Sequence, residues 1–180
     1  MKVFRDIFSS DEVLSDALNI RIENEESVIA VMSKMINPDD VGNVDIGCGN
    51  SFGGGDEDTN QGGDPGVEKV NNIISNFGYE EFFGSKKEVA AVFKAKIDEM
   101  REKFKDNAEV MKRWEKGGPI ENFVKSVFGK FDDCQFYMGK SYGDEDQKES
   151  MLIVAFWVDE EKDTGPTFHL FKDCLKEIKV

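Results

Sequence analysis

The chain has 180 residues, 39% of them apolar, with 15 phenylalanines and a formal net charge of −14. That length supports one good core and is short for two domains. The apolar content excludes global disorder, and the negative charge excludes general nucleic-acid binding, where surplus Lys and Arg must neutralise phosphates.

The opening Met1-Lys2-Val3-Phe4-Arg5-Asp6 interrupts any apolar run with charge before it could act as a signal peptide, and no apolar run of about 18 residues follows. The expected setting is therefore a soluble cytoplasmic protein. Met1 to Phe8 fits a first strand with Phe4 and Phe8 on one face. Ser9 to Asp16 is polar and reads as a turn leading into a short strand. Leu18, Ile20 and Ile22 alternate with Asn19, Arg21 and Glu23, the period of a half-buried strand. Asn24 to Ser27 can turn the chain, and Val28 to Ile36 is a stronger strand, so a meander is expected.

Asn37 to Gly66 differs in kind: thirty residues hold nine Gly, seven Asp or Glu and no Lys or Arg. Such a stretch cannot bury enough apolar area to offset its ordering entropy, and a mobile acidic loop inside a single domain of residues 1–180 is expected. Val67 to Phe83 restores apolar residues. A strand is the preferred reading there, although Val67, Val70, Ile73, Ile74 and Phe77 also fit a helical stripe.

Residues 85–131 read as a helical hairpin. Val89, Phe93, Ile97, Met100 and Phe104 recur at three- and four-residue steps, and Ser85-Lys86-Lys87-Glu88 spells a capping box. Asp106-Asn107-Ala108-Glu109 repeats that device after a short connection, so the two helices should run antiparallel. The second helix carries two stripes, Val110, Met111 and Trp114, then Ile120, Phe123, Val124, Val127, Phe128 and Phe131, whose centres differ by roughly 115° at about 100° per residue. Gly117-Gly118-Pro119 lies between them and predicts a kink or a break. From Lys86 to Lys130 there are 12 Lys and Arg against 8 Asp and Glu, whereas the rest of the chain has 11 against 29. The basic face, with Lys94, Lys105 and Lys112, is a candidate surface for acidic partners. After the hairpin, Cys134 to Lys140, Met151 to Val158 and Thr167 to Phe171 read as strands, with Met151 to Trp157 the most buried.

Chemistry-bearing motifs are sparse. Three widely spaced cysteines without a Cys-x-x-Cys suit reduced thiols better than a disulfide framework or a zinc site. The one histidine, His169, alternates with apolar residues and reads as a strand residue with a local hydrogen bond. Gly139-Lys140-Ser141 matches the end of a phosphate-binding loop, but Cys134 stands where that motif needs glycine, and an acidic turn follows instead of a helix. Asp56, Asp58 and Asn60 have the first three spacings of a calcium loop, yet Gln61 replaces its glycine and Val67 its closing glutamate. Weak calcium association through Asp56 and Asp58 is the remaining metal reading. With no Ser-His-Asp, Cys-His or paired-carboxylate constellation, the expectation is a protein that is not an enzyme and requires no cofactor.

Several strings together carry a family resemblance: Val3-Phe4-Arg5-Asp6-Ile7, Ser10-Asp11-Glu12-Val13-Leu14-Ser15-Asp16, Gln135-Phe136-Tyr137-Met138-Gly139, and Phe171-Lys172-Asp173 with Leu175. With the acidic loop and hairpin in their places, the whole chain resembles the translationally controlled tumour protein (TCTP) family. Departures are Ile46-Gly47-Cys48-Gly49-Asn50-Ser51-Phe52 in place of the family's Ile-Gly-Gly-Asn-x-Ser-x-Glu, and Gly139-Lys140 where relatives have Gly-Glu. The resemblance implies an α+β fold, the β-tent of Mss4-like proteins, with antiparallel sheets and a projecting helical hairpin. It also implies a cytoplasmic, non-enzymatic protein associated with calcium, tubulin and growth or survival signalling. Two alternatives accompany it: a guanine-nucleotide exchange helper or nucleotide-free chaperone for a small GTPase, with Glu12 matching a residue implicated in that contact, and a calcium buffer.

Overall fold

A computed structural model describes residues 1–40, 67–143 and 150–180. Eleven strands and four α-helices occur among these residues, and every strand pairing is antiparallel. Strands β1 (Lys2–Asp6), β2 (Glu12–Ser15) and β11 (Leu175–Lys179) form a three-stranded sheet in the order β11-β1-β2. A six-stranded sheet runs β3-β4-β10-β9-β8-β7, built from Ile20–Glu23, Val28–Met32, Thr167–Phe171, Ile153–Phe156, Gln135–Met138 and Glu80–Glu81. Met35–Ile36 (β5) and Val70–Asn71 (β6) make a two-stranded ribbon.

The six-stranded sheet is covered on both sides, which is why Val28 to Val31 are all buried without alternation. His169 and Phe171 point to the helices, where they meet Phe123. Phe168 points the other way, against Tyr79 and Tyr137. At the sheet's edge the expected half-buried strand is only a partial one: β3 leaves Ile22 56% exposed. The expected long strand from Val28 breaks at Ser33, whose hydroxyl donates to the Pro166 carbonyl and accepts from Asn71, so β5 leaves the sheet to pair with β6.

Two further expectations need correction. The preferred strand at Val67 to Phe83 is a helix, α1 (Asn72–Phe77), between two-residue strands. Asn71 caps its start by accepting from the backbone N–H groups of Ile73 and Ile74, and Gly78 ends it in the left-handed conformation at φ 66°. β11 was not anticipated at all. Apolar Leu175 and Ile178 are three apart, so the period of two is missing, and the strand is specified by pairing with β1 at the other end of the chain.

The hairpin follows its sequence closely. α2 (Lys86–Lys103) starts with both halves of the Ser85–Glu88 capping box and buries Val89, Phe93 and Met100. Asn107, rather than Asp106, caps α3 (Ala108–Trp114). The expected break is present: the chain leaves α3, passes Gly117 at φ 78°, and starts α4 (Pro119–Gly129) with Gly118 as N-cap and Pro119 at the first helical position. A Cβ on Gly118 would lie 2.9–3.1 Å from the carbonyls of Lys112, Glu115 and Arg113, so glycine is needed for contact as well as for the turn. α2 and α4 run antiparallel, since Phe93 packs on Phe128 with ring centroids 6.0 Å apart while Arg101 meets Glu121 at 3.7 Å. The Asp173 carboxylate ties the hairpin to the β10–β11 corner: it accepts both arms of the Arg113 fork at 2.8 Å and the Trp114 indole N–H at 2.9 Å.

Of the acidic stretch 37–66, Pro38–Asp40 forms a short 3-10 turn; the remainder, with Asp56 and Asp58, lies outside the described residues.

Candidate functional site

Glu12 stands at the first position of β2, and three local features fix its backbone. The pairing of β1 with β2 shifts register between Phe4 and Arg5: Phe4 faces Leu14, whereas Arg5 faces Glu12. The extra residue, Val13, makes a bulge that lets Val13 and Leu14 both turn inward, each fully buried, while Glu12 stays exposed. A bulged residue loses its regular ladder partner, and here the Val13 carbonyl accepts from the buried Tyr79 hydroxyl. Burial pushes the Tyr79 phenol well above its ordinary range, which keeps it a donor at neutral pH.

The second feature is a pair of buried carboxylates in the β1–β2 connection. Asp6 accepts from the backbone N–H groups of Phe8 and Met151, both at 2.9 Å. Asp11 accepts from the Ser141 hydroxyl at 2.6 Å and the Ser141 N–H at 3.1 Å. Both side chains are thereby satisfied while almost inaccessible. The third is Gly139, where a Cβ would sit 2.5 Å from Asp11 Oδ2; only glycine lets Asp11 reach Ser141. This explains the string that ended like a phosphate-binding loop. Lys140–Gly143 is a short 3-10 turn, and Ser141 serves the Asp11 clamp.

On this frame the Glu12 carboxylate accepts from Arg5 Nη2 at 2.8 Å, with the two side chains 48% and 44% exposed. The arrangement is a rigid backbone carrying a solvent-facing ion pair. Elsewhere, Lys94, Lys105 and Lys112 are exposed on α2, just after it, and on α3; Lys105 pairs with Glu102 at 3.3 Å. Glu12 lies on β2 and these lysines on the helical hairpin, so they are separate features.

Among the described residues, the histidine and two cysteines are withdrawn from solvent, Cys134 only partly. His169 is buried between Phe123 and Phe156, its Nδ1 lies 3.3 Å from the Val154 carbonyl, and burial pushes its pKa down to about 4. Burial raises the Cys134 and Cys174 thiols, which leaves them poor nucleophiles. Among the described residues, no group of three or more His, Cys, Asp or Glu is placed to hold a metal ion.

The sequence profile described as "Translationally controlled tumour protein" matches residues 1–176. The chain belongs to this family. Translationally-controlled tumor protein homologs of Saccharomyces cerevisiae and Candida glabrata are 30% and 32% identical to it, each over the whole of both chains. Among solved structures, p23fyp of Schizosaccharomyces pombe superposes with a TM-score of 0.70 at 24% identity, covering all of both chains. The TCTP of Caenorhabditis elegans gives 0.63 at 25% identity, covering 100% of this chain and 99% of the other. The α+β architecture, antiparallel sheets with a helical hairpin in the β-tent arrangement, is that of the TCTP structures.

Within the TCTP fold, the strings that carried the resemblance acquire physical reasons. Asp6 and Asp11 clamp the loop before Glu12, Gly139 makes room for the clamp, and Asp173 locks α3. Sequence reasoning singled out Glu12 and missed its supports. Their one available signal was that Asp6 and Asp11 sit within the strings that carried the family resemblance.

Proposed function

We propose that this TCTP-family chain is a non-enzymatic cytoplasmic interaction protein whose contact with a small GTPase is centred on Glu12. The observation that carries the reading is the combination at β2: an exposed carboxylate on a backbone fixed by the Val13 bulge and the Asp11–Ser141 clamp. A preorganised charge of this kind loses little freedom on binding, which favours recognition by a partner Lys or Arg. Among the described residues, the burial of His169, Tyr79 and Cys174 agrees with a role in binding rather than chemistry.

The test is release of bound guanine nucleotide from Ras-type small GTPases. The wild-type chain is expected to accelerate release or to retain the nucleotide-free GTPase, and Glu12→Ala to lose most of that effect. Equal behaviour of the two proteins removes the Glu12 reading.

A second contact is proposed on the hairpin, where the exposed Lys94, Lys105 and Lys112 offer cations to acidic tails such as those of tubulin. Its support is that α2 turns its apolar stripe into the core and leaves this basic surface to solvent.

A further inference from the structure

We infer that Arg5 competes within the chain for the Glu12 carboxylate and holds the small-GTPase contact in a masked state that a partner cation must displace. This rests on the reading of Glu12 as the contact residue and adds its regulation by a neighbouring side chain.

Three observations lead to it. Arg5 Nη2 and Glu12 Oε1 are 2.8 Å apart, so the carboxylate that a partner would seek is already engaged. The pair is about half exposed on both sides, and ion pairs in that environment are weak enough to exchange with an incoming charge. The strand registers then determine what the exchange leaves behind. Arg5 stands opposite Glu12 on β2 and opposite Lys176 on β11, giving a row Lys176–Arg5–Glu12 across the three strands. As folded, the row carries two cations and one anion. A partner Lys or Arg drawn towards this acidic chain meets a local excess of positive charge, and taking Glu12 returns the guanidinium to a like-charged neighbour. The contacts of Val13 with Tyr79 and of Asp11 with Ser141 hold the backbone on either side of Glu12, so the exchange is one of side chains.

Removing the Arg5 charge therefore unmasks the carboxylate and lowers the local positive potential together. Lys176 contributes only the second of these effects.

The experiment measures binding of the full chain to a Ras-type GTPase stripped of nucleotide with EDTA, at low and high salt. Arg5→Gln is expected to bind about three-fold more tightly than wild type at low ionic strength. That gain should shrink at ~1 M salt, where the Debye length is about 3 Å. Lys176→Gln should shift affinity the same way by less, and Arg5→Lys should stay near wild type. Glu12→Ala should bind more weakly than any of these. If Arg5→Gln binds no more tightly than wild type while Glu12→Ala is weakened, the competition is overturned and the contact survives. If Glu12→Ala binds like wild type, the contact reading falls and the competition with it. Circular dichroism checks that Arg5→Gln is folded; should it not be, Arg5→Met, which keeps the aliphatic stem and removes the charge, decides in its place, and no gain in its affinity overturns the inference.

Discussion

Lowering the pH from 7 to 5 should destabilise this protein through His169 by an amount that the structure fixes. The imidazole is buried in the interface between α4 and the six-stranded sheet, stacked on Phe156 with ring centroids 4.3 Å apart. Burial is the largest cause of its depressed pKa of about 4, and the positive charges of Lys130 and Arg21 push in the same direction, while hydrogen bonds to Val154 and Thr167 offset part of the shift. The Lys130 ammonium lies 3.5 Å from the centroid of the same Phe156 ring, so a protonated His169 would place a second cation on that ring. In the unfolded chain the group titrates near its ordinary value of about 6.5. Between the two values the unfolded chain binds a proton that the folded chain refuses. The stabilisation is complete above about pH 6.5 and is lost as the pH falls towards 4. The full linkage is about 3.4 kcal/mol, of which about 2 kcal/mol disappears between pH 7 and pH 5. Urea denaturation of wild type and His169→Phe at both pH values measures it. Carboxylates shared by the two proteins cancel in the difference, and phenylalanine preserves the aromatic contacts with Phe123 and Phe156. Wild type should lose about 2 kcal/mol more than the variant on acidification; equal losses would refute the argument that burial keeps His169 neutral.

Asp173→Asn should destabilise the fold by about 2–3 kcal/mol in the same urea assay, because it leaves the half-buried Arg113 fork without its charged acceptor; a change within error would show that α3 does not depend on this anchor. Reversing Lys94, Lys105 and Lys112 to Glu together should reduce co-sedimentation with microtubules at low salt, since each change removes an attraction for acidic tails and adds a repulsion. Undiminished pelleting would discard the hairpin as a tubulin contact.

Local chemistry determined how much of this could be read in advance. α2 was legible from its stripe and capping box, and the α3–α4 break from a stripe offset at two glycines and a proline, because helical signals lie within a few residues of one another. The apolar strands β4, β9 and β10 were legible as runs, although Trp157 and Val158 at the end of one such run are 42% and 60% exposed, beyond the last paired residue of β9. Long-range features were not legible. β5 and β6 are two residues each and join across an intervening stretch of more than thirty, and β11 is specified by the N-terminal strand. For α1, periodicity alone leaves strand and helix open, and the Asn71 cap and Gly78 stop are the local signals that decide for helix. At the candidate site, a period-two reading cannot anticipate Val13 and Leu14 both buried, and only the bulge brings Glu12 opposite Arg5.

The same frame separates departures that alter the family's surface from those that would alter its scaffold. Lys140 stands where the family resemblance leads one to expect a glutamate, a reversal of charge close in sequence to the clamp. The clamp itself uses the glycine at 139, for space, and the hydroxyl and N–H at 141, for Asp11; the side chain at 140 is exposed and supplies none of these contacts. Glu12 is therefore presented as the fold requires despite the reversal. Any effect of position 140 on partner choice must act through surface charge and not through the scaffold that presents Glu12.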